Sequence, residues 1–226
     1  MKIFCEEDTI VAVSTAPGEG AIGILRLSGS SSFEILSNIY RPLSRKNKRN
    51  MEALKSHKLQ LGHLIIGGNN IDRVLACIMR APRTYTGEDM VEIHCHGGPA
   101  ILRAALEEAV KNGARCAEPG EFTKRAFLHG RIDLAQAESV AEIIKSKCIA
   151  GAKMSLKHLE GEFSNKLEKI LCKARDLHAE IEVALDFPEE EVPPLKNKDI
   201  VKRGQEILKG LHSIITQSID TRWVTE

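Results

Sequence analysis

A long apolar repeat in the second half of the chain limits the fold more than any other feature. Between residues 159 and 184 an apolar side chain returns every three or four positions, over about seven helical turns. The positions are Leu159, Phe163, Leu167, Ile170, Ala174, Leu177, Ile181 and Ala184. A second stripe runs from Ile200 to Ile215, after a proline-containing break at 186–194. The spacing predicts two long helices of a bundle or coiled coil, whose apolar faces require further partners.

The chain up to about residue 120 has a different pattern, in which short apolar runs alternate with turn signals. Predicted strands cover 9–13, 20–27, 59–66, 71–79, 90–96 and 114–117, and predicted helices cover 33–40 and 99–111. Hairpins mixed with helices indicate an α+β domain with a mixed sheet. From Asp133 the pattern is helical, and Gln136 three residues later predicts a capping box. We therefore divide the chain into an α+β domain over 1–120 and an incomplete long-helix bundle over 121–226.

Composition excludes several classes of protein. Apolar residues make up 42% of the 226 residues and charged residues 28%, as in a folded globular protein. No apolar run approaches the roughly 20 residues that span a bilayer, so no membrane association is expected. The six cysteines form no C-x-x-C pair, and acidic residues at 6–8 leave no room for a signal peptide. These features predict reduced thiols and a cytoplasmic protein.

The charge is unevenly distributed. The whole chain has a net charge of +1, which with an aromatic content of 4% argues against a dedicated nucleic-acid binder. Residues 41–58, however, have a net charge of +6 from seven basic side chains and one acid. We interpret this basic segment as a solvated loop in preference to a phosphate-binding surface.

The densest polar cluster lies at 84–98. On a strand, Glu92, His94 and His96 share one face, while Cys95 points to the other. Three interpretations follow: a metal site, for which two histidines and one acid are weak support; a half-buried sheet face whose polar groups bond one another; and a small-molecule pocket. In the pocket, Glu92 would accept two parallel N–H donors from a planar heterocycle.

Two arginines are further candidates. Arg26 shares a strand face with Ile22 and Ile24, where a charge requires a partner or a route to water. Arg131 follows a helix-stop signal and is unremarkable alone. Cys95 is predicted to be a buried, inert thiol and not a nucleophile. The 226 residues contain no G-x-x-x-x-G-K-[ST] phosphate loop.

Several ordered motifs resemble the tRNA-modification GTPase MnmE (TrmE) family. The resemblance covers residues 8 to about 215. It is carried by residues 8–12, 17–20, 24–26, 85–89, 96–99, 119–128, 133–138 and 184–190. It implies an N-terminal tetrahydrofolate-binding domain, similar to that of folate-dependent aminomethyltransferases, followed by a helical domain. Family members form homodimers through the N-terminal domain. With the FAD-dependent partner MnmG (GidA), they modify C5 of the wobble uridine of certain tRNAs.

The resemblance also assigns site residues. The family's folate positions correspond to Arg26, Glu92 and Arg131. Glu92 would accept the ring N–H and amino group of the pterin, and the two arginines would complement the carbonyl or glutamate carboxylates. His94 and His96 would line or shape the pocket. The implied cofactor is a tetrahydrofolate derivative, in the 5-formyl or methylene form.

One departure from the family pattern limits the expected activity. The family's GTPase domain, which would bind GTP, potassium and magnesium, and its C-terminal Cys-x-Gly-Lys signature are absent from these 226 residues. We therefore expect the folate-binding and dimerisation portion of a tRNA-modifying GTPase, with no GTP hydrolysis of its own. The alternative is a stand-alone folate-dependent one-carbon transferase in which His94 or His96 acts as acid or base.

Overall fold

The computed structural model describes residues 8–43, 54–186 and 196–225, with side chains up to residue 216. The strands are β1 (Ile10–Val13), β2 (Gly20–Ser28), β3 (Tyr40–Pro42), β4 (Leu59–Ile66), β5 (Asn69–Met79), β6 (Met90–Gly97) and β7 (Arg115–Cys116). The helices are α1 (Ser32–Ile39), α2 (Pro99–Lys111), α3 (Glu121–Leu128), α4 (Leu134–Lys145), α5 (Ile149–Leu159), α6 (Glu162–Asp186) and α7 (Asn197–Thr225). The described part of the chain forms two compact units, Met1–Ile132 and Asp133–Glu226.

The first unit is built on a seven-stranded sheet in the order β3-β4-β5-β6-β2-β1-β7. Neighbouring strands are antiparallel except β1 and β7, which pair in parallel. The predicted α+β class with a mixed sheet is therefore confirmed. Gly67 and Gly68, both at positive φ, form the tight turn between β4 and β5 that the sequence predicted.

One face of the sheet forms the core with α1 and α2. Apolar side chains of the central strands, including Leu25, Val74 and Ile93, pack against Ile35 of α1 and Ala105 of α2. Alternation along each strand then directs the intervening residues to the opposite face, which we call the second sheet face. The second sheet face is where the polar cluster of β6 lies.

The two units divide between Ile132 and Asp133, twelve residues beyond the predicted boundary at residue 120. Helix α3, which the sequence pattern had placed in the helical domain, belongs to the first unit. The physical reason is Arg125 on α3, which is buried against carboxylates of the N-terminal segment and the β5–β6 loop.

The second unit is helical from its first residues, as predicted. The Asp133 side chain accepts a hydrogen bond from the Gln136 backbone N–H, and the Gln136 side chain accepts one from the Asp133 N–H. The first apolar stripe, predicted as one helix from Leu159, is divided: Leu159 ends α5, Gly161 turns the chain at a φ of +84°, and the other members lie on α6. The second stripe lies on α7, and α6 and α7 are joined by the Arg203–Glu180 ion pair. Most of the α6 stripe is only partly covered, and Leu177 is its one buried member among the described residues.

Two segments with a distinctive composition lie partly outside the described residues. Positions 44–53 of the basic segment lie outside the described residues, and so do positions 187–194 of the proline-containing break. Among the helices that the structure describes, none is long and apolar enough to cross a membrane.

Candidate functional site

Strand pairing brings the predicted polar residues together on the second sheet face. In the β2–β6 ladder Arg26 lies opposite Glu92, Ile24 opposite His94, and Ile22 opposite His96. Directly opposed residues project to the same side of a sheet, so the alternation predicted for each strand is confirmed. Arg26, Glu92 and His94 form the compact centre of this group, which we call the sheet-face cluster.

Arg26 and Glu92 form an ion pair. The Arg26 Nε and Nη2 atoms lie 2.9 and 2.7 Å from the same Glu92 oxygen, Oε1. This differs from the expectation that the two residues hold separate parts of a ligand. An arginine beside a carboxylate on the neighbouring strand finds its strongest partner there, because charge-assisted hydrogen bonds exceed neutral ones. The second oxygen, Oε2, is left for other donors.

Two aromatic rings flank the Arg26 guanidinium. Its central carbon lies 6.0 Å from the ring centroid of Tyr85, in the β5–β6 loop, and 5.8 Å from that of Phe122 on α3. The Tyr85 hydroxyl is 2.8 Å from Thr123 Oγ1, so the loop and α3 are linked. The rings hold the guanidinium by cation–π attraction and form an apolar wall beside the ion pair.

His94 brings an imidazole to the free side of Glu92. Its Nε2 atom lies 3.5 Å from Glu92 Oε2, within the range of an ion pair. The geometry makes no hydrogen bond, and Nε2 is a buried side-chain polar atom without a hydrogen-bond partner in the described part of the chain. Buried polar atoms are nearly always paired, so this one indicates a place for a ligand or water.

His96 lies farther along the same face and is paired differently. Its Nδ1 is 2.6 Å from Asp72 Oδ1, and its backbone N–H donates to Asp72 Oδ2 at 2.9 Å. The Asp72 carboxylate is nearly buried, whereas the His96 ring is 69% exposed. Asp72 therefore orients the imidazole while the ring faces outward.

Arg131 is exposed and lies next to the β5–β6 loop. A Cβ atom at Gly87 would come within 3.3 Å of the Arg131 side chain, and Gly87 has a φ of +84°. Position 87 therefore favours glycine for two reasons: the positive φ, and the lack of room for a Cβ atom beside the Arg131 side chain. Arg131 therefore lies beside the β5–β6 loop, which also contains Tyr85, whereas Arg26 and Glu92 pair with each other.

A buried ion network fixes the loop and α3. Arg125 donates to the Asp8 carbonyl at 2.9 Å, contacts the Asp8 carboxylate, and lies 3.1 Å from Glu88 Oε1. Glu88 Oε2 in turn accepts from Ser28 Oγ at 2.6 Å, and Ser28 is 2.7 Å from Thr86 Oγ1. The network joins the N-terminal segment, β2, the β5–β6 loop and α3.

Arg115 extends this network and depresses two carboxylate pKa values. Its Nη2 lies 2.7 Å from Glu121 Oε1 and its Nε 2.6 Å from Asp8 Oδ2. Hydrogen bonding from Arg115 outweighs burial and lowers the pKa of Glu121. For Asp8, burial raises the pKa, but hydrogen bonds from Arg115 and Arg125 prevail, and the pKa lies below its ordinary value.

The thiols behave as predicted from strand alternation. Cys95 is buried on the core face, and burial raises its pKa to about 12, with Asp72 adding to the effect. Cys77, opposite Glu92, also has a raised pKa, first from burial and then from the Glu92 charge. Both effects oppose thiolate formation. Among the described residues, no group of three or more His, Cys, Asp or Glu side chains is placed to hold a metal ion.

Sequence reasoning missed Tyr85, Phe122 and Asp72 as neighbours of the predicted site. Tyr85 and Phe122 lie in motifs that carried the family resemblance, but their convergence on Arg26 depends on tertiary packing. Asp72 lies at an irregularity in the pairing of β4 with β5, where Leu64 pairs with Asp72 but Ile65 pairs with Asn70. The alternation of residues along a strand does not predict such a shift.

Comparisons with known families cover both units. Residues 9–131 match the family described as GTP-binding protein TrmE N-terminus, and residues 134–226 match the MnmE helical domain. These limits agree with the two compact units.

Individual relatives give the same result. The chain is 44% identical over 221 residues to the tRNA modification GTPase MnmE of Thermoanaerobacter pseudethanolicus, covering 97% of this chain and 47% of the relative. It is 43% identical over 229 residues to that of Acetivibrio thermocellus, covering 93% of this chain and 49% of the relative. The chain thus spans about half the length of the curated relatives it matches. It belongs to the MnmE (TrmE) family of tRNA modification GTPases, with the family's N-terminal domain and helical domain.

Proposed function

We propose that the sheet-face cluster binds a tetrahydrofolate derivative, in the 5-formyl or methylene form, as the one-carbon source for tRNA modification. The observation that carries this proposal is the buried His94 Nε2, which has no hydrogen-bond partner in the described part of the chain and lies 3.5 Å from Glu92 Oε2. The rings of Tyr85 and Phe122 flank Arg26, the ion-pair partner of Glu92. A pterin is a flat heterocycle with hydrogen-bonding groups along one edge, which suits both features.

The residues fit the group in three respects. Glu92 Oε2 has acceptor capacity because both Arg26 donors lie on Oε1. His94 Nε2 is buried and requires a polar partner. Arg26 holds the Glu92 carboxylate in place, the exposed Arg131 supplies positive charge for the glutamate carboxylates of a folate, and His96 borders the same face. Bound folate would supply the one-carbon unit, while these side chains bind and orient it.

Isothermal titration calorimetry with (6S)-5-formyltetrahydrofolate tests the proposal. Glu92→Gln keeps the shape of the side chain and removes its charge, and should weaken binding by about 1.5–3 kcal/mol, the value of a charged hydrogen bond. Glu107→Gln is the matched control, because Glu107 is an exposed residue of α2. Equal affinities for the wild type and Glu92→Gln, or no binding by the wild type, would refute the assignment.

We also propose that the first unit forms the homodimer through its second sheet face. Four large apolar residues of that face are exposed: Ile22, Leu59, Leu61 and Leu75. Exposed apolar groups that cluster on one sheet face favour association. A Leu59→Asp/Leu61→Asp double variant should shift sedimentation equilibrium from dimer to monomer. A monomeric wild type, or a dimer unaffected by the substitutions, would contradict the proposal.

The relatives' name, tRNA modification GTPase, supports a role in tRNA modification. From the family resemblance we propose that this modification is at C5 of the wobble uridine and is made together with the FAD-dependent partner MnmG, in the cytoplasm. Co-purification of the chain with that flavoprotein tests the partnership. A complete absence of complex at micromolar concentrations would oppose it.

A stand-alone one-carbon transferase is the second candidate function, and one observation favours it. Asp72 orients the exposed His96 imidazole, which is the arrangement of a general base. Incubation of the chain with methylenetetrahydrofolate and a primary amine distinguishes the candidates. Turnover without GTP or MnmG supports the transferase, and its absence supports the binding module.

A further inference from the structure

The two oxygens of the Glu92 carboxylate have different surroundings. Oε1 receives both Arg26 donors, at 2.9 and 2.7 Å. Oε2 faces His94 Nε2 across 3.5 Å, and within the described residues His94 Nε2 has no hydrogen-bond partner. The site therefore presents three atoms in order: His94 Nε2, then Glu92 Oε2, then Glu92 Oε1, which is already bonded to Arg26.

The carboxylate favours the His94 tautomer that carries the proton on Nε2. A carboxylate oxygen only accepts hydrogen bonds, so a neighbouring imidazole nitrogen is more stable as N–H than as a second lone pair. With that tautomer, His94 Nε2–H is a donor and Glu92 Oε2 is an acceptor, side by side. The complement of this pair is a ring N–H next to a ring carbonyl, which is the edge of a cyclic amide.

We propose that His94 and Glu92 recognise the cyclic amide edge of a 4-oxopterin, and that His94 sets the specificity for the 4-oxo group. The inference rests on the proposed folate site. The pterin N3–H would donate to Glu92 Oε2, and the 4-carbonyl would accept from His94 Nε2–H. The 2-amino group, on the other side of N3, would reach Oε1 only in competition with Arg26.

A 4-aminopterin reverses this edge. Its N3 carries no hydrogen, and its 4-amino group donates where the carbonyl accepted. Both positions would then oppose like groups, donor against donor and acceptor against acceptor, and leave buried polar groups unpaired. The site should therefore bind the 4-amino ligand more weakly than the 4-oxo ligand. A pocket that recognised only the shape and charge of the ligand would bind the two equally well.

Calorimetry with two ligands that differ only at position 4 tests this inference. Wild type should bind tetrahydrofolate roughly tenfold to 100-fold more tightly than its 4-amino counterpart, tetrahydroaminopterin, as expected for one hydrogen bond to a charged or strongly polar partner. His94→Leu should lose most of that preference, and His94→Gln, whose amide N–H can donate, should retain part of it. His63→Leu, on the same sheet face at β4, is the matched control and should keep the wild-type ratio.

The outcomes separate the two proposals. A His94→Leu chain that binds both ligands more weakly at an unchanged ratio would overturn the role of His94 and leave folate binding intact. A wild type that binds neither ligand would overturn both proposals. Should the His94 variants fail to fold, ¹⁵N NMR of the imidazole in the wild-type complex decides: a protonated Nε2 is expected, and an unprotonated Nε2 would refute the inference.

Discussion

Replacement of Arg125 by methionine should destabilise the first unit strongly. Arg125 is 5% exposed and bonds the Asp8 carbonyl, the Asp8 carboxylate and Glu88. Methionine has a similar length but no donors, so the substitution fills the space and removes the charge. Glu88 would keep Ser28 as a partner, and Asp8 would keep Arg115.

The magnitude follows from what is left behind. Removal of one partner from a buried ion pair costs about 3–5 kcal/mol, because the other charge stays buried without compensation. Glu88 and Asp8 each retain a second partner, so the lower end, about 3 kcal/mol, applies here. The exposed Arg103–Glu107 pair on α2 gives the contrast, since such pairs contribute about 0.3–0.5 kcal/mol.

Native-state hydrogen exchange is the suitable assay, because it reports the first unit separately from the helical one. Slowly exchanging amides of β2 and β6 should show an opening free energy lower by about 3 kcal/mol in Arg125→Met. Arg103→Met should lie within about 0.5 kcal/mol of the wild type. Equal effects of the two substitutions would refute the conclusion that the Arg125 network fixes the β5–β6 loop and α3.

Three further predictions concern acid, backbone approach and nucleotide. The depressed pKa values of Asp8 and Glu121 stabilise the fold fully above the ordinary carboxylate pKa of about 4, and this contribution is lost as pH falls through the lowered values. Circular dichroism during acid titration should therefore show less acid destabilisation in an Asp8→Asn/Glu121→Gln variant; an unchanged dependence would contradict the network. Gly97→Ala places Cβ 2.4 Å from the Gly20 carbonyl oxygen, whereas at Gly98 the nearest atom is 3.9 Å away. Urea denaturation should show a cost of about 1–3 kcal/mol or more for Gly97→Ala and a smaller one for Gly98→Ala, and equal costs would be inconsistent with the close strand approach. Because no phosphate loop occurs in the 226 residues, a phosphate-release assay should detect no GTP hydrolysis by the chain, and release above buffer would contradict this.

Local patterns predicted most elements of the first unit because each element satisfies a local rule. Strand β4 and helix α2 have the predicted bounds, with Pro99 at the start of α2 and Gly113 just beyond its end. Strand β3 was missed because three residues are too few to show a strand pattern, and its first residue, Tyr40, was included in the predicted helix 33–40. Helix α3 was assigned to the other domain, since its attachment depends on Arg125, whose ion-pair partners Asp8 and Glu88 lie 117 and 37 positions away in the sequence.

The candidate site was predicted in part for the same reason. Alternation correctly grouped Glu92, His94 and His96, and placed Cys95 on the other face. It could not give the Arg26–Glu92 pairing, which depends on how β2 and β6 align. Nor could it show that His96 turns toward Asp72 while His94 Nε2 has no hydrogen-bond partner among the residues that the structure describes, because both depend on side chains from separate strands.

A crystal structure of the chain with (6S)-5-formyltetrahydrofolate tests the central claim most directly. We predict a pterin ring against Tyr85 and Phe122, with its N3 within hydrogen-bond distance of Glu92 Oε2 and its 4-carbonyl next to His94 Nε2. Ligand density away from these residues, or an unchanged Arg26–Glu92–His94 cluster without ligand at a saturating concentration, would contradict it.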